Sequence, residues 1–276
     1  GGFGPASRMP DIEKLGTQLC DSFGVSKDAD PIAALRAVSA EDLLKKAGAP
    51  GGGFGPAVDG WFLPGDPAVI FAAGKERGVP LIIGSNHNEG TILLGMMPMR
   101  NTQDYENYVK GAFGADADAV LKVYPLSEGK NAMSVADRVF SDRIAAGSEM
   151  FAESNSKLNP KSYLYHFTKS SNSPRFARMG AYHGAEIPYV FNANQESYNF
   201  DDADNKLAKT MSAYWVRFAA TGDPNEQGLP EWPKIGGSSG RYIEFGTDIK
   251  TGSQVVSQKV YEVLARSGGR SRAGRQ

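Results

Sequence analysis

The stretch that decides the fold is GAYHGAEIPYVF, residues 180–191. It carries His183 in a loop with small residues close by, after a hydrophobic strand pattern and before a long amphipathic helix pattern. Small neighbours let an imidazole turn into a cleft, and functional side chains concentrate on loops of this kind. A histidine on the apolar face of a helix would instead indicate packing. His183 is therefore a candidate functional residue.

Two further stretches flank this one in the sequence. PLIIGSNHNEGT, residues 80–91, begins as a buried strand and ends in a polar loop that carries the carboxylate of Glu89. YWVRFAATGDPN, residues 214–225, ends a helical pattern and is followed by PEWP at residues 230–233. PAVDGWFLP, residues 56–64, precedes all of them.

Together these stretches resemble the C-terminal part of the type-B carboxylesterase/cholinesterase family of α/β-hydrolases, over residues 12–245. The family phrases have the form G-x-N-x-x-E-G, then H-G-x-E-x-x-Y-V-F, then W-x-x-F-A-x-x-G-x-P-N and W-P, with P-x-V-D-G before the first. Three ordered motifs are far more specific than any one of them. The resemblance begins downstream of the place where the family carries its nucleophilic serine.

Composition narrows the class of protein. The chain has 276 residues, of which 41% are hydrophobic and 22% charged, as in a globular protein with a sizeable core. A net charge of −1 gives no reason to expect nucleic acid as a partner. The single cysteine, Cys20, excludes an intrachain disulfide and a zinc site of several thiolates, and its default interpretation is a buried free thiol. There is no apolar run of about 18 residues, so no membrane span is predicted.

Three regions are predicted along the chain. Residues 1–10 are rich in Gly and Pro and are expected to be disordered or a truncated edge. Residues 11–265 are expected to form the C-terminal portion of a carboxylesterase type-B domain. Residues 266–276, with several arginines among glycines and serines, are expected to be a flexible basic tail. The chain shows no signal peptide, and its compartment stays unknown, with a secreted or periplasmic location open.

Periodicity predicts a helix-rich α/β fold. Apolar spacing and stop signals predict helices over residues 12–23, from Pro31, after Ser39, through most of 92–160, over 203–220 with Gly222 as the stop, and over 255–264. Buried strands are predicted at 79–84 and 163–167, and a last edge strand at 242–245. Strands separated by helices favour a mostly parallel sheet covered by helices. The predicted fold is the C-terminal part of an α/β-hydrolase.

The resemblance implies the roles of two residues. In such hydrolases a histidine takes the proton of a serine hydroxyl, and a carboxylate orients the imidazole and stabilises its protonated form. The partners follow in the order nucleophile, acid, base, at the carboxyl ends of strands. Glu89 after one strand and His183 after the next satisfy the order acid then base. Glu89 is thus expected to be the acid and His183 the base.

Rival residues have simpler interpretations. Glu186 follows the base in the family phrase, and capping or an ion pair is expected of it. His87 lies two residues before Glu89, but a zinc deaminase would also need P-C-x-x-C, so a solvated loop histidine is expected. His166 alternates within its strand and is expected to pack or to face solvent. No metal or other cofactor is expected, because the scattered histidines and one cysteine lack ligand spacing.

The nucleophile is the element that the sequence lacks. GGSSG at residues 236–240 matches G-x-S-x-G, but it follows the base and has no strand before it or helix after it, so Ser238 is expected to lie in a surface loop. GGGF at residues 51–54 imitates an oxyanion-hole loop in the wrong place. The serine, the oxyanion hole and the first strands are therefore expected upstream of residue 1.

The prediction is a fragment of a serine carboxylesterase, inactive on its own, that acts on a small-molecule ester when joined to the missing N-terminal half of the fold. MMPM at residues 96–99 is open to three interpretations: an acyl or alcohol pocket, core packing or a mobile lid. The alternative hypothesis is a non-catalytic cholinesterase-like binding or adhesion module. A third hypothesis is a small independent hydrolase that uses Ser238.

Overall fold

The structure is a computed structural model that describes residues 6–26, 28–47, 55–127, 129–193, 196–236 and 241–264. The described residues up to Ala73 form one compact unit, and those from Gly74 onward form the other. The assignment of residues 11–265 to the C-terminal portion of a carboxylesterase type-B domain stays a prediction. Residues 1–5, 51–54, 237–240 and 266–276, which carry several of the predictions above, lie outside the described residues.

The first unit is small and mostly helical. Its elements are β1 (Ser7–Arg8), α1 (Met9–Ser22), α2 (Pro31–Arg36), α3 (Ala40–Ala47), β2 (Ala57–Val58) and α4 (Pro67–Ala72). The short strands β1 and β2 pair in parallel, so residues 7–10, expected to be disordered or a truncated edge, instead form β1 and the start of α1. Asp30 caps α2 by accepting from two backbone N–H groups, and Pro31 fits its first turn. Cys20 is half-buried rather than buried.

The second unit carries most of the chain. Its elements are β3 (Leu81–Asn86), α5 (Gly90–Leu93), α6 (Thr102–Phe113), α7 (Ala117–Val123), α8 (Ala132–Ser156), β4 (Ser162–Phe167), α9 (Ile187–Val190), α10 (Asp202–Thr221), β5 (Tyr242–Phe245) and β6 (Ile249–Gly252). Single 3₁₀ turns lie at Gly114–Asp116, Ala177–Met179 and Glu196–Tyr198. Residues 258–264 are helical. The predicted helical region over 92–160 is confirmed.

The sheet of this unit has the order β3-β4-β5-β6. The first three strands are parallel, with Leu81 opposite Ser162 and Asn86 opposite Phe167, and β6 runs antiparallel to β5. The sequence predicted a helix-rich fold with a mostly parallel sheet, and this prediction is confirmed.

Helices cover both faces of the sheet. Successive strand residues point to opposite faces, and on β4 the side chains of Tyr163 and Phe167 pack with Leu207, Met211 and Tyr214 of α10. Leu164, on the other face, packs with Ala152 of α8, in the cluster that also holds Ile235. With helices on both faces, β4 is buried at every residue except Tyr165, which is half-buried.

Three predicted boundaries differ from the structure. The first predicted strand, 79–84, lies two residues later, because Pro80 has no N–H to donate and the ladder continues through Ser85 and Asn86. The strand at 242–245 is not the edge, since β6 pairs with it. The last helix begins at residue 258 rather than 255.

The free side of β3 is one of the two open edges of this sheet among the described residues, and the free side of β6 is the other. Leu81 through Gly84 are only half-buried, whereas the prediction was a buried strand. A parallel strand is normally buried between two neighbours, and β3 has one.

Candidate functional site

The two predicted site residues meet at one end of the sheet. Glu89 follows β3 and His183 follows the neighbouring strand β4, so both lie beyond the carboxyl ends of adjacent parallel strands. His183 Nδ1 lies 2.6 Å from Glu89 Oε2, although 94 residues separate them in the chain. The Glu89 side chain is 5% exposed and that of His183 is 57% exposed. A buried carboxylate thus holds one ring nitrogen of an accessible imidazole.

The second oxygen of Glu89 is also fixed. The backbone N–H of Asn86 donates to Glu89 Oε1 over 2.7 Å. Hydrogen bonds of a carboxylate with backbone N–H groups are charge-assisted and favour its ionised form. Both oxygens of the buried carboxylate therefore have a partner, one at the end of β3 and one in the His183 loop.

The two loops are joined directly by Asn88. Its backbone N–H donates to Ala181 O over 3.0 Å, and Ala181 N–H donates back to Asn88 Oδ1 over 3.2 Å. Asn88 and Tyr182 also form an isolated parallel β-bridge, which pairs the chain after β3 with the residue before His183. Gly180 has a φ of +64°, and a Cβ there would lie 2.2 Å from Asn88 Oδ1, so both the conformation and the close approach require glycine.

Helix α8 holds the loop of Glu89 through hydrogen bonds to Asp137. Buried Asp137 accepts from Gly90 N–H over 2.8 Å and from Asn88 Nδ2 over 2.9 Å. Ser141 donates to the same carboxylate over 3.1 Å. A Cβ on Gly90 would lie 2.9 Å from the backbone of Asp137, so glycine lets the loop and the helix approach this closely.

Glu186 lies in the His183 loop but contacts a different partner. Its Oε2 accepts from Asn86 Nδ2 over 2.5 Å. Burial, with Glu186 and Glu89 nearby, holds the pKa of the Tyr165 hydroxyl far above its ordinary value. Glu186 is thus tied to the sheet.

The other two histidines form a separate polar chain on the α8 face. Ser85 Oγ lies 3.1 Å from His166 Nδ1, and His166 Nε2 lies 3.4 Å from His87 Nδ1. Arg138 approaches the ring of His87 to 3.2 Å and forms an ion pair with Asp142. Burial, with His87 and Arg138 adding to it, lowers the pKa of His166 to about 3. Of the two expectations for His166, packing is the one the structure supports.

His87 was expected to be solvated, and only part of it is. The residue is exposed overall, but its ring packs against His166 and Arg138, and burial followed by the charge of Arg138 lowers its pKa. Both rings are kept neutral by their surroundings. They are directed at Arg138 and Ser85 rather than at Glu89 or His183.

The structure adds nothing on two other candidate elements of the sequence. Ser238 and residues 51–54 are outside the described residues, so the structure places neither. Within the described ranges, no three or more His, Cys, Asp and Glu side chains converge to hold a metal ion. In the same part of the chain, no helix is both long and apolar enough to cross a membrane.

The MMPM stretch divides between surface and core. Met96 is 98% exposed and Met97 is 43% exposed, whereas Met99 is buried in the helical core around α6 and α8. Core packing therefore accounts for Met99 alone.

Sequence reasoning missed Asn86, Asn88 and Asp137. A signal for Asp137 was present, because α8 carries a polar stripe at helical spacing, which the structure buries: Asp137, Ser141, Ser148 and Asn155. The two asparagines stood in the quoted stretch, but the partners that join them to the His183 loop are 93 to 100 residues away, and no local pattern indicates such bonds.

Comparison with known proteins agrees with this architecture. The sequence model of the Carboxylesterase family matches residues 3–263. The chain is 31% identical to fumonisin B1 esterase of Sphingopyxis macrogoltabida over 208 residues, which is 72% of this chain and 38% of that protein. It is 25% identical to acetylcholinesterase of Bungarus fasciatus over 275 residues, which is 88% of this chain and 45% of that protein.

Solved structures show the same fold. A PNB esterase superposes with a TM-score of 0.74 at 21% identity, over 94% of this chain and 55% of that one. EstA of Aspergillus niger superposes with a TM-score of 0.75 at 18% identity, over 96% of this chain and 56% of that one. The chain therefore spans about half the length of the esterases it matches. On the family match, which covers nearly all of its residues, the chain belongs to the carboxylesterase family, and its likeness to the solved esterases shows the α/β-hydrolase fold.

Proposed function

We propose that this chain supplies Glu89 and His183 as the acid and the base of a Ser-Glu-His triad in a carboxylic ester hydrolase. The observation that carries the proposal is the 2.6 Å contact between Glu89 Oε2 and His183 Nδ1. A bond at Nδ1 fixes the tautomer of the ring and leaves Nε2 free to accept a proton.

The chemistry would run through an acyl-enzyme. His183 Nε2 takes the proton of a serine hydroxyl as the oxygen attacks the ester carbonyl, and then returns it to the departing alcohol. Water repeats the two steps and releases the acid. Glu89 keeps the ring oriented and stabilises its positive charge while it holds the proton. The substrate is a small-molecule ester, and no metal or cofactor takes part.

The serine and the oxyanion hole would come from the upstream half of the fold. The open edge of β3, with half-exposed Leu81 through Gly84, is where the next parallel strand would pair. Unpaired N–H and C=O groups at a sheet edge are a template for another strand. Without that half, the chain lacks the nucleophile and the oxyanion donors, and we expect it to be inactive alone.

The test is fluorophosphonate labelling of the purified chain, read by intact mass and peptide mapping. No adduct is expected on the chain alone. When the upstream half is added, giving what we call the complemented enzyme, labelling on the serine of that half and ester hydrolysis are both expected.

Two results would overturn the proposal. An adduct on a serine of this chain would place the nucleophile here, and Ser238→Ala would then identify or exclude that residue. A complemented enzyme that binds but neither labels nor hydrolyses would favour a non-catalytic binding module.

A further inference from the structure

Asn86 is the one described residue that hydrogen-bonds both Glu89 and the loop of His183. Its backbone N–H donates to Glu89 Oε1 over 2.7 Å. Its side-chain Nδ2 donates to Tyr182 O, directly before His183, over 2.8 Å, and to Glu186 Oε2, three residues after His183. The base is therefore bracketed on both sides by bonds from a residue that also holds the acid.

The orientation of the Asn86 amide is unambiguous. A carbonyl oxygen and a carboxylate oxygen are both acceptors, so only the NH₂ end can face them. A flipped amide would place three oxygens against one another in a site that is 1% exposed at Asn86. Both amide hydrogens are thus committed to the His183 loop.

The oxygen of the Asn86 amide makes no bond of its own. Its Oδ1 is buried and has no hydrogen-bond partner among the described residues. The two bonds from Nδ2 are therefore the hydrogen bonds that this side chain makes in the structure.

From this we infer that Asn86 is a positioning residue that sets the distance between Glu89 and the His183 ring. The inference rests on the proposed roles of that pair. Asn86 itself would not touch substrate. It would hold the Tyr182–Glu186 turn against the end of β3, so that Nδ1 of His183 stays within hydrogen-bonding reach of Glu89.

The experiment uses the imidazole rings as reporters. The chain has three histidines, so ¹⁵N-histidine labelling gives three ring systems, assigned by replacing each with Gln in turn. In the wild type we expect His183 in the Nδ1-protonated tautomer, with a downfield Hδ1 signal from the bond to Glu89. Glu89→Gln defines what the loss of that bond looks like.

Asn86→Ala removes both donors, and Asn86→Asp removes them while keeping the volume of the side chain. We expect either variant to lose the downfield signal and to populate both His183 tautomers, with the His166 signals unchanged. Asn155→Ala is the matched control: Asn155 is 2% exposed and also donates two bonds through Nδ2, to Val79 O and Ser162 Oγ, at the other end of the strands. It should leave His183 unchanged.

Unchanged His183 signals in folded Asn86→Asp would overturn the inference. Loss of the whole fold in both Asn86 variants, by circular dichroism, would also overturn it, because Asn86 would then be a residue of general stability. A failure of the proposed function is seen separately, as a wild type without the downfield signal or a complemented enzyme without hydrolysis.

Discussion

Asp137 of α8 and Gly90 of the acid loop are joined by a 2.8 Å hydrogen bond, at a spot where glycine alone leaves room for the helix backbone. The same carboxylate binds Asn88, which in turn bonds Ala181 of the base loop. The loops of Glu89 and His183, the proposed acid and base, are thus linked to one helix through a continuous set of hydrogen bonds. We therefore expect the proposed chemistry to depend on these buried groups.

The first prediction concerns the acid. In the complemented enzyme, Glu89→Gln should lower kcat by about 10⁴, the loss seen when a triad carboxylate becomes an amide and the ring tautomer is lost. KM should change little. Glu186→Gln is the control, because an amide oxygen can still accept from Asn86 Nδ2. Steady-state kinetics of ester hydrolysis measure kcat and KM for both variants. An equal loss of kcat in Glu89→Gln and Glu186→Gln would contradict the assignment of Glu89 as the acid.

The second prediction concerns the core. Trp232 is fully buried, donates through Nε1 to Leu164 O over 2.9 Å and packs edge-on against Tyr163 and Tyr214. Trp232→Ala should lower the free energy of unfolding by about 3–5 kcal/mol. Phe191→Ala, at a ring that is 74% exposed, should change it by less than about 0.5 kcal/mol. Urea unfolding followed by circular dichroism measures both.

The third prediction is a loss of stability as pH rises. Burial raises the pKa of Glu149 to about 7, although Arg241 lies 3.5 Å away and opposes the change. Between about pH 4.5 and 7 the unfolded chain releases this proton while the folded chain keeps it, so folding becomes less favourable, by at most about 3 kcal/mol.

Replacing Glu149 with Gln should therefore flatten the stability curve in this window and leave the variant more stable than the wild type above pH 7. Glu106→Gln, at an exposed ion pair with Lys110, is the control and should leave the curve unchanged. A steeper curve for Glu149→Gln would contradict the prediction. Thermal unfolding at a series of pH values measures it.

The fourth prediction is a loss of stability in acid. The pKa of buried His166 is lowered to about 3, whereas in the unfolded chain it is near 6.5. Between these two values the unfolded chain binds a proton on His166 and the folded chain does not. Stability contributed by neutral His166 should fall as pH decreases from about 6.5 towards 3. In His166→Gln, the free energy of unfolding should fall less steeply over this pH range. If the variant loses stability in acid as steeply as the wild type, His166 is not the cause of the loss.

How far the sequence predicts this structure depends on whether the signal is local. The helix over Asp202–Thr221 was predictable from apolar spacing and from Gly222, which adopts the left-handed conformation at its end. The proximity of Glu89 and His183 followed from family resemblance and from the rule that neighbouring parallel strands end at one edge of the sheet. Each of these predictions rests on a pattern within a single short stretch: the apolar spacing of the helix, or the motif that carries Glu89 or His183.

What could not be predicted depends on pairs of distant residues. The strand β6 is four residues long and half-exposed, so its alternation is too short to separate from a loop. The hydrogen bonds of Asn86 and Asn88 with the His183 loop join residues more than ninety positions apart, and no local pattern indicates them. The division at Ala73 is a property of packing, which periodicity does not report.

The register of β3 against β4 places a constraint on insertions and deletions. With Asn86 opposite Phe167 and Asn88 bridged to Tyr182, one residue added to either strand would displace the following loop by about 3.3 Å and turn its side chains to the other face. Residues gained in an exposed connection of the helical segment between the strands would cost only loop entropy, about 0.6 kcal/mol for each doubling of loop length. Among related sequences, insertions and deletions should therefore occur between the two strands rather than within them.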